Sequence, residues 1–95
     1  MRKIKFESYK SVWDALADTP AQSANLRARA ELMREITLIV KKNNWTQAKA
    51  ADHCGITQPR MNDLVRGRVS HFSLDALVNI ATAIGRRVHF ELEAA

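Results

Sequence analysis

Between positions 57 and 66 the chain carries several side chains of the types that recognise the edges of DNA bases. The amides of Gln58 and Asn62 suit adenine, and the guanidinium of Arg66 suits guanine. The carboxylate of Asp63 can accept a hydrogen bond from the amino group of cytosine. If one surface presents these groups together, the chemistry that they predict is the recognition of a DNA sequence.

Two short helices joined by a tight turn are predicted to position these side chains. Ala51 follows Gln47 by four residues, and Gly55 follows Ala51 by four. A small residue at 51 lets the second helix approach the first, and glycine at 55 adopts the positive φ of the turn without steric cost. The residues predicted to fill the space between the helices are Ile56, Met61 and Leu64. The residues left on the outer side are Thr57, Gln58, Pro59, Asn62, Asp63 and Arg66. A plain helical hairpin with a polar face is the alternative, but the combined pattern favours DNA binding.

The composition is compatible with this prediction. Fifteen Lys and Arg against ten Asp and Glu give a net charge of +5, which favours an anionic partner, although a solvated basic surface is the alternative. Ninety-five residues indicate one domain. A single cysteine, Cys54, excludes an intramolecular disulfide and fits a reducing compartment. Because there is no apolar run of roughly 18 residues and no apolar core behind the basic N-terminus, we expect a cytoplasmic protein that does not enter a membrane.

Capping residues predict where the helices begin. The predicted N-caps are Thr19, which begins a helix to about Asn43, Thr46, Thr57 and Ser73. The first of these helices has a predicted buried stripe at Leu32, Met33, Ile36, Ile39 and Val40, and its N-terminal half is expected to project from the core. Nearer the N-terminus, Ser11 is predicted to cap a short helix to about Ala17, and Ile4–Phe6 is either a strand or a basic arm.

Alternating side chains at the C-terminus predict a β-strand. Val88, Phe90 and Leu92 are apolar, and polar residues separate them. A lone strand needs a partner. Two copies paired antiparallel about His89 would place Arg87 opposite Glu91, which predicts a homodimer; pairing with Ile4–Phe6 is the alternative. The dimerisation residues are therefore predicted to be Arg87, Val88, Phe90, Glu91 and Leu92. The predicted fold is all-α, with this short C-terminal strand.

Residues 47–67 as a whole resemble the helix-turn-helix of the phage lambda repressor and Cro class, the XRE family. The resemblance implies a lambda-repressor-like domain in which Gln47 contacts a phosphate and Thr57, Gln58, Pro59 and Asp63 contact bases. Pro59 departs from the family pattern because it offers only an apolar contact. Asp63 also departs, because an acid near phosphates must accept from a base or pair with Arg60 or Arg66. The full predicted DNA-binding set is Thr57, Gln58, Pro59, Asn62 and Asp63, together with Gln47, Arg60, Arg66 and Arg68. Within this set we expect Gln47 and the three arginines to contact phosphates.

The flanking segments Ser11–Pro20, Arg29–Met33 and Phe72–Val78 resemble the HigA-type antitoxin branch of that family. The resemblance implies a repressor that also binds and neutralises a RelE/HigB-like ribonuclease toxin. We assign residues 1–18 to partner binding and residues 19–95 to the DNA-binding domain with its dimerisation strand. The predicted partner-binding residues are Phe6, Tyr9, Val12, Trp13 and Leu16. Trp13 folding back onto the core is the alternative for that residue, and a stand-alone regulator without a toxin is the alternative function.

No set of residues predicts a metal, a cofactor or catalysis. His53 and Cys54 are adjacent, while His71 and His89 are isolated in the sequence, so they do not have metal-ligand spacing. Nothing beyond the presence of the residue types supports a catalytic arrangement, and glycine is too scarce for a phosphate loop. We therefore expect that the chain is not an enzyme, and that Cys54 is a small core residue.

Overall fold

The computed structural model describes residues 19–94, and it shows four α-helices and one turn of 3-10 helix in that range. The elements are α1 (Pro20–Lys42), α2 (Gln47–Cys54), α3 (Gln58–Val65), η1 (Val69–His71) and α4 (Leu74–Ala83). The predicted short helix from Ser11, the arm at Ile4–Phe6 and the predicted partner-binding residues lie outside the described residues.

Each α-helix begins at its predicted capping residue. In every case the cap hydroxyl accepts a hydrogen bond from a backbone N–H three residues later, at 3.1–3.3 Å. The cap and donor pairs are Thr19 with Gln22, Thr46 with Lys49, Thr57 with Arg60, and Ser73 with Ala76. Such a bond satisfies a donor that the helix itself leaves unpaired, and each is worth about 1 kcal/mol. The predicted helix starts are confirmed.

The core lies where α1 crosses α3 and α4. The buried apolar residues are Met33, Ile36, Val40, Ala50, Ala51, Cys54, Met61, Leu64, Phe72, Leu77, Ile80 and Ala81. Three of the five residues predicted for the α1 stripe are among them, whereas Leu32 and Ile39 are only partly buried. Burial raises the pKa of the Cys54 thiol, so the group stays protonated and serves as a small core side chain, as predicted.

The N-terminal half of α1 does not simply project from the core, contrary to expectation. Nη1 of Arg29 donates hydrogen bonds to the carbonyl oxygens of Val69 and Phe72, both at 3.2 Å. Forty or more residues separate the guanidinium from these acceptors along the chain. The contact therefore arises from tertiary packing, and no local sequence pattern signals it.

The predicted C-terminal strand is not found within residues 19–94. Residues 86–94 have no regular secondary structure. A strand needs a second strand to satisfy its backbone groups, and the described part of this chain provides none. Along the expected apolar face, only Val88 is partly buried, whereas Phe90 and Leu92 are exposed. The pairing of Arg87 with Glu91 of a second copy stays a prediction; within one chain, Nε2 of His89 lies 3.3 Å from Oε1 of Glu91.

Candidate nucleic-acid interface

A three-residue turn sets the angle between α2 and α3. Gly55 has φ 70° and ψ 31°, in the left-handed region, and the N–H of Ile56 donates to the carbonyl of Ala51 at 3.0 Å. A Cβ at position 55 would meet nothing within 4 Å, so glycine is required by the backbone conformation and not by space. Ala51 is buried, as its predicted role between the helices demands.

The third helix presents a polar face to the outside. Its inner residues, Met61 and Leu64, are at most 1% exposed. The outer residues Thr57, Gln58, Pro59 and Arg66 are exposed, while Asn62 and Asp63 are half-buried. The predicted division of α3 into a core face and a polar face is confirmed. Gln58, in the first turn of α3, is among the exposed residues.

A hydrogen bond connects the first residue of α2 to this face. Nε2 of Gln47 donates to Oδ1 of Asn62 at 3.4 Å, and both side chains are polar and near the surface. The structure thus brings the predicted phosphate-contacting residue next to a predicted base-contacting helix. At this length the bond is weak and can be exchanged for a phosphate contact.

Asp63 is paired within the chain, and its partners differ from those expected. Its Oδ1 lies 2.9 Å from Nη1 of Arg68, and its Oδ2 lies 3.1 Å from Nδ1 of His71. The hydrogen bond from His71 and the charge of Arg68 hold the pKa of the Asp63 carboxyl below its usual range. The contact of Asp63 with a base stays a prediction, but the alternative, a pairing with Arg60 or Arg66, is wrong. The reason is that the backbone reverses at Gly67, with φ 74°, and carries residues 68–71 back to the end of α3.

Arg60 lies against the core and does not extend freely towards solvent. Its guanidinium carbon lies 4.4 Å from the centroid of the Phe72 ring, and its Nη1 donates to the His71 carbonyl at 3.4 Å. Phe72 is 1% exposed, so the Arg60 guanidinium covers the ring of a buried side chain through a cation–π contact. The contact of Arg60 with a phosphate stays a prediction. The orientation of its side chain is set by the contacts with Phe72 and His71.

Sequence reasoning missed two residues that support the interface. His71 contacts the Asp63 carboxylate, and Arg29 bonds to the turn that carries His71. Neither has a signal in the sequence, because each acts on a residue that only the fold brings close. Trp45 is half-buried against the core and stacks on His53 with ring centroids 4.0 Å apart.

Two further observations concern the described residues alone. No three His, Cys, Asp or Glu side chains among residues 19–94 are grouped as a metal site would require. No helix in the same range is both long and apolar enough to span a membrane.

A family model described as a helix-turn-helix domain matches residues 15–93, which is more than four-fifths of the chain. The matched range contains α2, the turn at Gly55 and α3, and the match supports the resemblance to XRE-like proteins. No curated protein matches the chain. On this match, and on the geometry of α2 and α3, the chain belongs to the helix-turn-helix domain family.

Proposed function

We propose that this chain is a sequence-specific DNA-binding repressor that inserts α3 into the major groove. The observation that carries the proposal is the outer face of α3, where Thr57, Gln58 and Pro59 are exposed while Met61 and Leu64 are buried in the core. A dimer would place two such helices in successive major grooves, about 34 Å apart, and so block access to a promoter.

Different parts of this face suit different DNA contacts. Thr57 accepts the backbone hydrogen bond that caps α3 and keeps its own hydroxyl proton to donate to a base. Gln58 is free to form a bidentate contact with adenine, and Pro59 can touch a thymine methyl group. Arg66 and Gln47 suit phosphates. Each oxygen of the Asp63 carboxylate has a second lone pair, so Asp63 can accept from a base while it holds Arg68 and His71.

Gln58→Ala should weaken binding to the operator by about 1–3 kcal/mol and relax the preference at one base pair. The reason is that alanine removes both hydrogen bonds to a base edge without disturbing the core. Fluorescence anisotropy on DNA from upstream of the gene, with each base pair substituted in turn, measures both effects. Asn79→Ala removes an exposed amide from α4, away from α3, and serves as the matched control.

A comparison with Arg66→Ala separates base recognition from phosphate contact. Loss of Arg66 should weaken binding to all sequences alike and reduce the salt dependence by about one unit of slope. If Gln58→Ala left both operator affinity and base preference unchanged, α3 would not be the recognition helix. A chain that bound no DNA at low salt would be a protein-interaction module that has kept the fold.

We further propose that the repressor is the antitoxin of a RelE/HigB-like ribonuclease toxin. The support is the resemblance of the flanking segments to the HigA-type branch. Four of the five predicted contact residues, Phe6, Tyr9, Val12 and Trp13, also precede residue 15, where the match to the helix-turn-helix domain begins. These side chains lie outside the range that matches the helix-turn-helix domain. A stand-alone regulator is the alternative, and a neighbouring gene for a RelE-like protein of roughly 100 residues would favour the antitoxin.

Trp13→Ala should abolish neutralisation of the neighbouring gene product while operator binding is retained. Trp residues often supply a large share of an interface's binding energy, so a single truncation can release a partner. Co-expression followed by pull-down and a growth assay measures neutralisation, and Lys10→Ala in the same segment is the control. If Trp13→Ala instead unfolded the chain or abolished DNA binding, Trp13 would belong to the core.

A further inference from the structure

Three large apolar side chains are exposed in the part of the chain that the structure describes. They are Leu38 on α1, with 48% of its surface exposed, and Phe90 and Leu92 near the C-terminus, with 68% and 102% exposed. Single exposed apolar residues are common and need no explanation. Here, however, they fall into two patches whose charges are opposite.

The first patch is a groove between α1 and the segment that follows α4. We call it the α1 groove, and it is lined by Glu35, Leu38, Ile39, Lys42, Arg86 and Arg87. Three cations against one carboxylate make it basic. Its volume of about 370 Å³ is many times the ~30 Å³ of a water molecule, so it has room for side chains. The backbone N–H of Arg86 donates to the Ala81 carbonyl at 2.9 Å, which fixes the rim of the groove to α4.

The second patch is residues 88–93, here called the tail. The exposed side chains of Phe90 and Leu92 alternate there with the carboxylates of Glu91 and Glu93. Glu91 contacts only His89 among the described residues, at 3.3 Å, and both side chains are more than three-quarters exposed. The tail is therefore apolar and acidic, and the α1 groove is apolar and basic.

We propose that the tail of one copy occupies the α1 groove of a second copy, and that the reciprocal contact closes a symmetric dimer. Phe90 and Leu92 would cover Leu38, while the tail carboxylates would face the three cations of the groove. The tail begins at the rim of its own groove, yet Leu92 is fully exposed, so a chain does not fill its own groove. When two copies exchange identical segments, the tail and the α1 groove of each copy are both covered by the other copy. The inference rests on the proposed repressor function, for which it supplies the two-fold axis.

Two charge-introducing variants test the exchange. Leu38→Glu disrupts the groove and Phe90→Asp disrupts the tail, so each alone should be monomeric by light scattering at concentrations where the unsubstituted chain is dimeric. A mixture of the two should form dimers again, because the groove of the Phe90→Asp copy and the tail of the Leu38→Glu copy are both intact. The restored dimer should be weaker than the original, since it keeps one contact of two.

Other arrangements give different results. If tails paired with each other as strands, Leu38→Glu would remain dimeric and mixing would restore nothing. An unsubstituted chain that is monomeric throughout, or a mixture that stays monomeric, would also overturn the proposal. Ala28→Glu introduces the same charge at an exposed position of α1 outside the groove and should remain dimeric. Circular dichroism on every variant excludes unfolding as the cause.

DNA binding separates this proposal from the proposed function. The Leu38→Glu monomer retains α3, so it should still shift operator DNA in a gel at low salt, with lower affinity and without cooperativity. If the monomers bind DNA and mixing does not restore dimers, the tail exchange is wrong and the repressor function stands. If dimers form as described but bind no DNA, the repressor function is wrong and the tail exchange stands.

Discussion

Replacing Phe72 with alanine should lower the free energy of unfolding by about 3–5 kcal/mol. The side chain is 1% exposed within the core, and its ring supports the guanidinium of Arg60 at 4.4 Å. Alanine would leave a cavity where α1, α4 and the turn after α3 meet, and it would also remove the cation–π contact. Because small domains are stable by only about 5–15 kcal/mol, this loss is a large part of the total. Urea denaturation followed by circular dichroism measures it.

A more conservative change at the same position gives the comparison. Phe72→Leu keeps most of the apolar volume and removes the ring beneath Arg60, so its cost should be clearly smaller than that of alanine. Arg60→Ala in both backgrounds completes a double-mutant cycle that isolates the cation–π contact. An alanine variant within about 1 kcal/mol of the unsubstituted chain would mean that Phe72 is not a core residue.

Replacing Arg29 with alanine should lower the free energy of unfolding by about 2–4 kcal/mol. Hydrogen bonds from charged donors are worth about 1.5–3 kcal/mol, and the two carbonyls of Val69 and Phe72 share one nitrogen, so the loss is less than twice that value. The variant also frees the turn that carries His71 to Asp63. Hydrogen exchange of the amides in residues 69–72 should therefore accelerate more than exchange in α2.

Arg34→Ala provides the matched control for this measurement. Arg34 lies on the same helix, is exposed, and has no hydrogen bond within the described part of the chain. Its loss should change the free energy of unfolding by no more than about 0.5 kcal/mol. Equal effects of the two substitutions would show that a general loss of positive charge is responsible, and that the bonds of Arg29 to the turn contribute nothing.

Local interactions made much of the fold predictable from the sequence. A capping hydroxyl and its N–H donor are three residues apart, so Thr46 and Thr57 mark helix starts without reference to any distant residue. Gly55 is equally local, because its left-handed backbone depends on the absence of a Cβ. Met61 and Leu64 follow from helical periodicity. The outer face of α3 was therefore predictable in both its position and its composition.

Contacts between distant residues were decided only when the chain folded. Asp63 had several arginines within reach along the sequence, and the reversal at Gly67 selected Arg68 and His71. Arg29 met its acceptors through the crossing of α1 over the turn, at a separation that no periodicity encodes. The C-terminal segment has the alternation of a strand, yet a strand exists only where a second edge accepts its backbone hydrogen bonds, and residues 19–94 contain no such edge.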